Sequence, residues 1–396
     1  MTIFLHILLF AVGAPAVLAC AYLLLATLLS ARNRIPPRST RSVQFDMIVP
    51  AHNEAGNIER TVASLRSVDW PRDKFRVLVV ADNCTDQTAA IARAAGAEVL
   101  ERNDTSKRGK GYALDHAFAA SRAKRWADAV VIVDADAEVS PNLLEAFACR
   151  IEQGAQAIQS HYGVLNPNAS WRTRLITIAK GAFHIVRSRA RERLRISCGI
   201  RGNDWCVTHK LLEQVPYKAF SLTEDVEYGI AIGLAGQRVW YADEAHSDAE
   251  MVSGEQVARK QRQRWEEGRF QLIRTKTKTL FAAAFTRPSG VCLDLALDLI
   301  VLPLSYIVLN VVAFVVIAAF AAWWNGVLFD WLWIALACAS SLALYVIRGW
   351  QLSGIGLRGI LDLARAPGFL VWKLLLMLRR RESVEWVRTG RETKSP

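Results

Sequence analysis

Ala129-Val130-Val131-Ile132-Val133-Asp134-Ala135-Asp136 reads as a buried strand that runs straight into two carboxylates. An apolar run with no polar face suits a strand covered on both sides, as in a parallel sheet. The arrangement recurs twice upstream. Residues 43–50 alternate and end at Pro50, ahead of Ala51-His52-Asn53-Glu54, and the Val-rich run 75–81 ends at Asp82-Asn83. Helical patterns lie between. Ile58, Val62 and Leu65 share a face over 57–67, Gly96 closes 85–95, and 111–121 follows a short strand at 97–100. Strands alternating with helices predict βαβ units and an α/β fold with a mostly parallel sheet. Ligands of such sheets bind at the carboxyl ends of the strands, where these polar motifs fall.

Each motif has a chemistry. Two carboxylates one residue apart on an extended turn can converge on one ion. Mg2+ or Mn2+ takes carboxylate and diphosphate oxygens together. Asp134 and Asp136 are therefore candidate metal ligands, serving charge that develops on a leaving diphosphate. Asp82 can accept from the imide N–H of a uracil ring, and Glu54 is placed to contact the nucleoside, while Asp86 reads as a turn or cap residue. Lys107-Arg108-Gly109-Lys110-Gly111 is a glycine-flanked basic loop before a helix, so Lys110 is a candidate diphosphate or sugar contact. It lacks the P-loop spacing.

Thr223-Glu224-Asp225 opens a helical pattern through Val226, Ile230 and Leu234. The helix dipole alone favours acids there. Asp225 is also placed to act as general base for an acceptor hydroxyl, with Glu224 grouped beside it on the acceptor side. In Gln261-Arg262-Gln263-Arg264-Trp265, residues 261, 264 and 265 share a helical face. Arg264 can grip a diphosphate, and Trp265 offers a flat apolar surface to a sugar ring. His52, His161, His184, His209 and His246 have no metal-ligand spacing and read as structural or surface residues.

The chain is 52% hydrophobic, and its apolar residues cluster. Residues 3–29, 299–324 and 331–347 carry no Asp, Glu, Lys or Arg. A span needs about 20 apolar residues, down to about 17, so three transmembrane helices are expected. The first has no basic stretch before it and is too long for a signal-peptide core, which favours a retained anchor. Arg32, Arg34, Arg38 and Arg41 follow it, Arg274, Lys276, Lys278 and Arg287 precede the second span, and Arg348 follows the third. Basic flanks mark the cytoplasmic side. The amino terminus is then outside and 32–290 is cytoplasmic, with Asn325-Gly326 as an outer turn. The expected organisation is a transmembrane helix at 1–31, a linker at 32–42, a catalytic domain at 43–290, a transmembrane hairpin at 291–348, and interfacial helices with a basic tail at 349–396. Trp372 would lie at headgroup level there.

The net charge of +12 is accounted for largely by residues that flank the spans and face an anionic leaflet. No nucleic-acid motif accompanies it, so no nucleic-acid partner is expected. Seven scattered cysteines without C-x-x-C spacing exclude a disulfide framework and a zinc site as the organising feature. Arg187, Arg189, Arg191, Arg193 and Arg195 form a basic patch that reads as a solvated helix face, or as one lying on the membrane or along an acceptor path.

Taken in order, these motifs resemble the family 2 glycosyltransferases with a GT-A fold, in the membrane-integrated branch that includes cellulose, hyaluronan and poly-N-acetylglucosamine synthases. The resemblance covers about 43–290. It implies a nucleoside diphosphate sugar donor, a divalent metal and inversion at the anomeric carbon. It assigns Glu54 and Asp82 to the nucleoside, Lys110 to the diphosphate region, Asp134 to the donor and Asp136 to the metal. Asp225 becomes the base, and Gln261, Arg264 and Trp265 an acceptor and diphosphate motif. Gly202-Asn203-Asp204 falls where relatives shape the acceptor pocket. The expected product is an exported or envelope glycan, with a possible export partner or channel subunit because three spans are few for a channel. Alternatives are single-sugar transfer to a lipid, and a non-catalytic membrane adaptor with the same shape.

Overall fold

The computed structural model describes residues 2–251, 255–287, 289–324 and 329–365. Strands β1 (Phe45–Ala51), β2 (Phe75–Asp82), β3 (Glu98–Arg102), β4 (Ala129–Ile132), β5 (Ala137–Val139), β6 (Ala157–Val164), β7 (Trp205–Thr208) and β8 (Val239–Ala249) form one sheet in the order β3-β2-β1-β4-β7-β6-β8-β5. Helices α1 (Thr2–Leu28), α2 (Ile58–Arg66), α3 (Thr88–Ala94), α4 (Lys110–Lys124), α5 (Leu143–Glu152), α6 (Trp171–Lys180) and α7 (Arg187–Arg193) are followed by α8 (His209–Gln214), α9 (Glu224–Leu234), α10 (Glu255–Thr286), α11 (Gly290–Ile300), α12 (Leu304–Trp324), α13 (Phe329–Ser353) and α14 (Leu357–Leu363).

The chain divides into two compact units. One draws on the described parts of 1–31, 174–193 and 300–382, the other on those of 32–173 and 194–299. Residues 174–193, read from sequence as part of the 43–290 domain, group with the apolar helices.

In the sheet unit the Val-rich runs are central strands. Pairing is parallel through β3-β2-β1-β4 and between β6 and β8, whereas β7 runs antiparallel to both its neighbours and β5 to β8. The apolar face of α4 (Ala113, Leu114, Ala117, Phe118) packs on Ile48, Leu78, Val80, Val130 and Ile132, all fully buried. Each large side chain so buried contributes about 1.5–3 kcal/mol. At the end of β1 away from the motifs, Asp46 is buried under the Arg76 guanidinium, with both carboxylate oxygens bonded at 2.8 Å. Ser121 Oγ donates to the same carboxylate at 2.5 Å. This pins that end, while the opposite ends of β1, β2 and β4 release into loops.

In the helical unit α1, α12 and α13 pack together around Leu9, Leu23, Phe314 and Leu342. All three are long and apolar enough to cross a membrane. Small residues allow close approach. A Cβ on Gly181 would stand 2.6 Å from the Gly349 carbonyl oxygen and one on Gly349 2.6 Å from Ala182 Cβ, so neither glycine has room for a side chain, and Tyr345 Oη donates to the Ala182 carbonyl at 2.9 Å. The basic patch is not a solvated face throughout. Arg187 and Arg191 are 3% and 1% exposed. Arg187 stacks over the Tyr22 ring at 5.1 Å, and Arg191 Nε donates to Tyr22 Oη at 3.1 Å. The reason is period: positions four apart share a helical face, so an alternating run splits between inside and outside. The expected turn at Asn325-Gly326 and the interfacial helices beyond residue 365, with Trp372, lie outside the described residues.

Candidate active site

Loops at the ends of β1 and β2 are sewn together. His52 Nδ1 lies 2.7 Å from the Asp82 carbonyl, and Asn53 Oδ1 accepts from the Thr85 N–H at 2.7 Å. Asn53 and Asn83 both take positive φ, 56° and 50°. Asparagine tolerates that region better than most side chains. Glu54 is held from both ends: its N–H donates to Thr88 Oγ1 at 2.8 Å, and Asn57 Nδ2 donates to its carboxylate at 2.9 Å. Asp86 accepts from the Thr88 N–H at 3.0 Å, as a turn residue would.

Asp82 has a partner that the sequence reading missed. Register sets Asp82 beside Arg102 at the end of β3. Arg102 Nη1 meets Asp82 Oδ1 at 2.6 Å, and both side chains are about nine-tenths buried. Asn83 Nδ2 donates to the same oxygen at 3.1 Å. Both contacts fall on Oδ1. The Arg102 guanidinium also lies 5.8 Å from the Tyr112 ring, two residues along from Lys110. The available signal was the charged pair Glu101-Arg102, which directly follows the short strand expected at 97–100.

Lys110, the first residue of α4, is where the downstream motifs meet. Its Nζ is 2.6 Å from Asp134 Oδ1 and 3.7 Å from Glu224 Oε1, and it donates to the Gly202 carbonyl at 3.3 Å. Burial alone would lower its pKa, but Asp134, Glu224 and Asp225 outweigh this and hold it above the ordinary lysine value. Glu224 and Asp225 form the first turn of α9. Burial pushes Glu224 up to about 7 against the opposing pull of Lys110. Burial also raises Asp225, whose Oδ2 accepts from the Gly202 N–H. Thr223 stands at the N-cap without a capping side-chain bond.

Asp136 is 9% exposed, and the intervening Ala135 is fixed by Thr61 Oγ1 donating to its carbonyl at 2.9 Å. Among the described residues no three His, Cys, Asp or Glu side chains gather as a metal site. Mg2+ characteristically takes one or two carboxylates and completes its shell with water and substrate phosphate. Asp134 and Asp136 supply hard oxygens of that kind.

The helix carrying residues 261–265 reaches this place through Gly268. A Cβ there would stand 2.6 Å from Thr223 Cγ2, so α10 is pressed against the start of α9. Lys276 and Glu227 join the same helices at 3.7 Å. Gln261, Arg264 and Trp265 precede Gly268 by seven, four and three residues and share its face. Trp265 is 42% exposed. Arg264 Nε is buried with no hydrogen-bond partner among the described residues.

Two family models match the chain: glycosyl transferase family 2 over residues 46–205 and glycosyl transferase family group 2 over 129–349. The chain is 24% identical over 236 residues to a probable glycosyltransferase, YdaM, of Bacillus subtilis, covering 57% of this chain and 55% of that protein. It is 28% identical over 238 residues to a beta-monoglucosyldiacylglycerol synthase of Synechocystis, covering 58% and 48%. The chain thus spans about half the length of these curated relatives. Among solved structures, a mannosyltransferase of Pyrobaculum calidifontis in complex with GDP-Man and Mn2+ superposes with a TM-score of 0.52 at 19% identity, over 86% of this chain and 98% of that one. At that identity the likeness shows a common GT-A fold.

Proposed function

We propose, from the premise that the chain belongs to glycosyltransferase family 2, that it moves a sugar from a nucleoside diphosphate sugar, a UDP-sugar by preference, to a lipid-borne or glycan acceptor at the cytoplasmic membrane face. Transfer inverts the anomeric carbon and needs a divalent metal. The observation that carries this reading is the meeting of Lys110, Asp134, Glu224 and Asp225 around the Gly202 peptide. One strongly cationic lysine beside a half-buried carboxylate pair supplies both needs of a single displacement: charge for the diphosphate and a base for the acceptor.

In this reading Asp225 takes the acceptor proton on Oδ1 while Gly202 holds Oδ2. The acceptor oxygen attacks the anomeric carbon, and the bond to the diphosphate breaks in line, its electron pair leaving with the diphosphate. Asp136 and Asp134 would hold Mg2+ or Mn2+, which would supply positive charge to the leaving diphosphate. Lys110 and the buried Nε of Arg264 add cationic donors for the same diphosphate. Asp82, bonded through Oδ1, keeps Oδ2 for a nucleobase imide, and Glu54 borders the nucleoside. Gln261, Trp265 and Glu224 line the acceptor side.

Three membrane-length helices suit an acceptor that stays in the bilayer. The Synechocystis relative, named for a glycolipid product, supports a lipid. The test uses the full chain in nanodiscs with Mg2+ or Mn2+, a panel of UDP- and GDP-sugars and a membrane lipid extract. A single new glycolipid is expected. A polymer ladder would make the enzyme processive and require an export partner, and no turnover of any donor would overturn the reading.

A further inference from the structure

We propose that Asn203 is a positioning residue that holds the donor carboxylate Asp134 and the base Asp225 in one frame, so that metal–nucleotide binding and turnover depend on the same buried side chain. The inference rests on the function proposed above and assigns it a part outside the reacting groups.

Asn203 is fully buried, and each of its side-chain polar atoms is used. Its Oδ1 accepts from the Asp134 N–H at 2.7 Å and from the Asp204 N–H at 2.8 Å, while its Nδ2 donates to Ser247 Oγ at 3.1 Å. One side chain therefore ties the end of β4 to β8. The adjoining peptide faces the other half of the site: the Gly202 N–H donates to Asp225, and the Gly202 carbonyl accepts from Lys110. From behind, Gln159 on β6 clamps the loop. Its amide donates to the Asn203 carbonyl at 2.6 Å and the Asp204 carbonyl at 3.1 Å, and its Oε1 accepts from the Arg201 N–H at 2.9 Å. Gly202 and Asp204 take φ of 83° and 54°, so the loop holds a shape that side chains seldom adopt unaided. Asp134 and Asp225 are 91 residues apart in sequence, yet they are linked through two consecutive residues.

The experiment compares the full-length wild type with Asn203→Ala and Ser247→Ala in nanodiscs. It measures Mn2+–UDP and Mn2+–GDP affinity by calorimetry, kcat and KM for whichever donor the wild type turns over, and thermal melting. Asn203→Ala frees two backbone N–H groups that frame Asp134. A lost outer partner at a metal site costs about 10–100-fold in metal affinity, and a misplacement of about 1 Å costs about 100-fold in rate. Both losses are expected together. Ser247→Ala, which releases only the Asn203 amide nitrogen, is expected to move both quantities the same way by a smaller factor. It carries the test if Asn203→Ala does not fold. A purely structural role would lower the melting temperature and leave kcat and metal–nucleotide affinity of the folded fraction at wild-type values, which would overturn the proposal. If the wild type binds nucleotide but transfers no sugar, the proposed function fails, and the affinity ratio still decides on Asn203. Failure of the wild type to bind either nucleotide would overturn both.

Discussion

At the scale of single residues, the place of Asp225 in the first turn of α9, with Oδ2 held by the Gly202 N–H, singles it out. General base catalysis contributes about 100- to 10,000-fold, so Asp225→Asn is expected to lower kcat by that range while Mn2+–nucleotide affinity stays near wild type. Unchanged turnover would remove Asp225 from the role of base. The pH dependence follows in sign. Burial favours the protonated form of both acids of the pair, Glu224 up to about 7. The base works ionised, so kcat should rise with pH on a limb displaced above the ordinary aspartate range, and that limb belongs to the pair. Lys110 lowers both acids, so Lys110→Met should move this limb to higher pH as well as slow the reaction. A limb that stays in place or moves down would show that Lys110 does not face the pair in solution. Asp82, Lys110, Asp134 and Asp225 were legible in sequence because each sits beside a period break, where an apolar run or helical pattern begins or ends. Arg102 and Gln159 were not. Their roles come from strand register and from a loop 44 residues away, as between Gln159 and Asn203, and no local pattern encodes either.

At the scale of elements, the sequence displayed β1, β2 and β4 clearly because both faces of those strands are covered. It displayed β6, β7 and β8 poorly. Gln159, Ser160 and His161 interrupt β6, Asp243, Glu244, His246 and Asp248 interrupt β8, and β7 has four residues. Gln159 and Ser160 on β6 and Ser247 on β8 bond the loop at 203–204, and Glu244 on β8 pairs with Arg150, so these polar duties break the hydrophobic signature. The approach of α10 to α9 depends on one small residue. In an exposed helix, glycine costs about 0.8–1.0 kcal/mol relative to alanine, so Gly268→Ala would ordinarily stabilise. Here the new Cβ would meet Thr223 Cγ2 at 2.6 Å, and overpacking of that kind costs about 1–3 kcal/mol. Gly268→Ala is therefore expected to lower stability in a denaturant melt and kcat by about tenfold or more, since it pushes Arg264 and Trp265 away from the first turn of α9. Thr223→Ala in the same chain should restore part of both. A Gly268→Ala protein that is more stable and fully active would mean that the two helices separate in solution.

At the scale of the whole molecule, charge and hydropathy make one prediction about sidedness. The first apolar helix is followed within 13 residues by Arg32, Arg34, Arg38 and Arg41. The translocation bias acts on Lys and Arg close to a span and in short flanks, so it applies with full weight here. Its consequence is chemical as well as topological. Nucleotide sugars meet the sheet unit only if the segment between the first and second spans is cytoplasmic. All seven cysteines are free thiols, and six are buried. Cys84, half-buried, is the background to control for. In a Cys84→Ser chain, a cysteine introduced as Thr2→Cys should react with a membrane-impermeant maleimide in intact cells, whereas Ser106→Cys, on the exposed loop before α4, should react only after the membrane is opened. The reverse pattern would place Lys110, Asp134 and Asp225 on the side without nucleotide sugar. It would then contradict transfer from a cytoplasmic donor, however well the site is built.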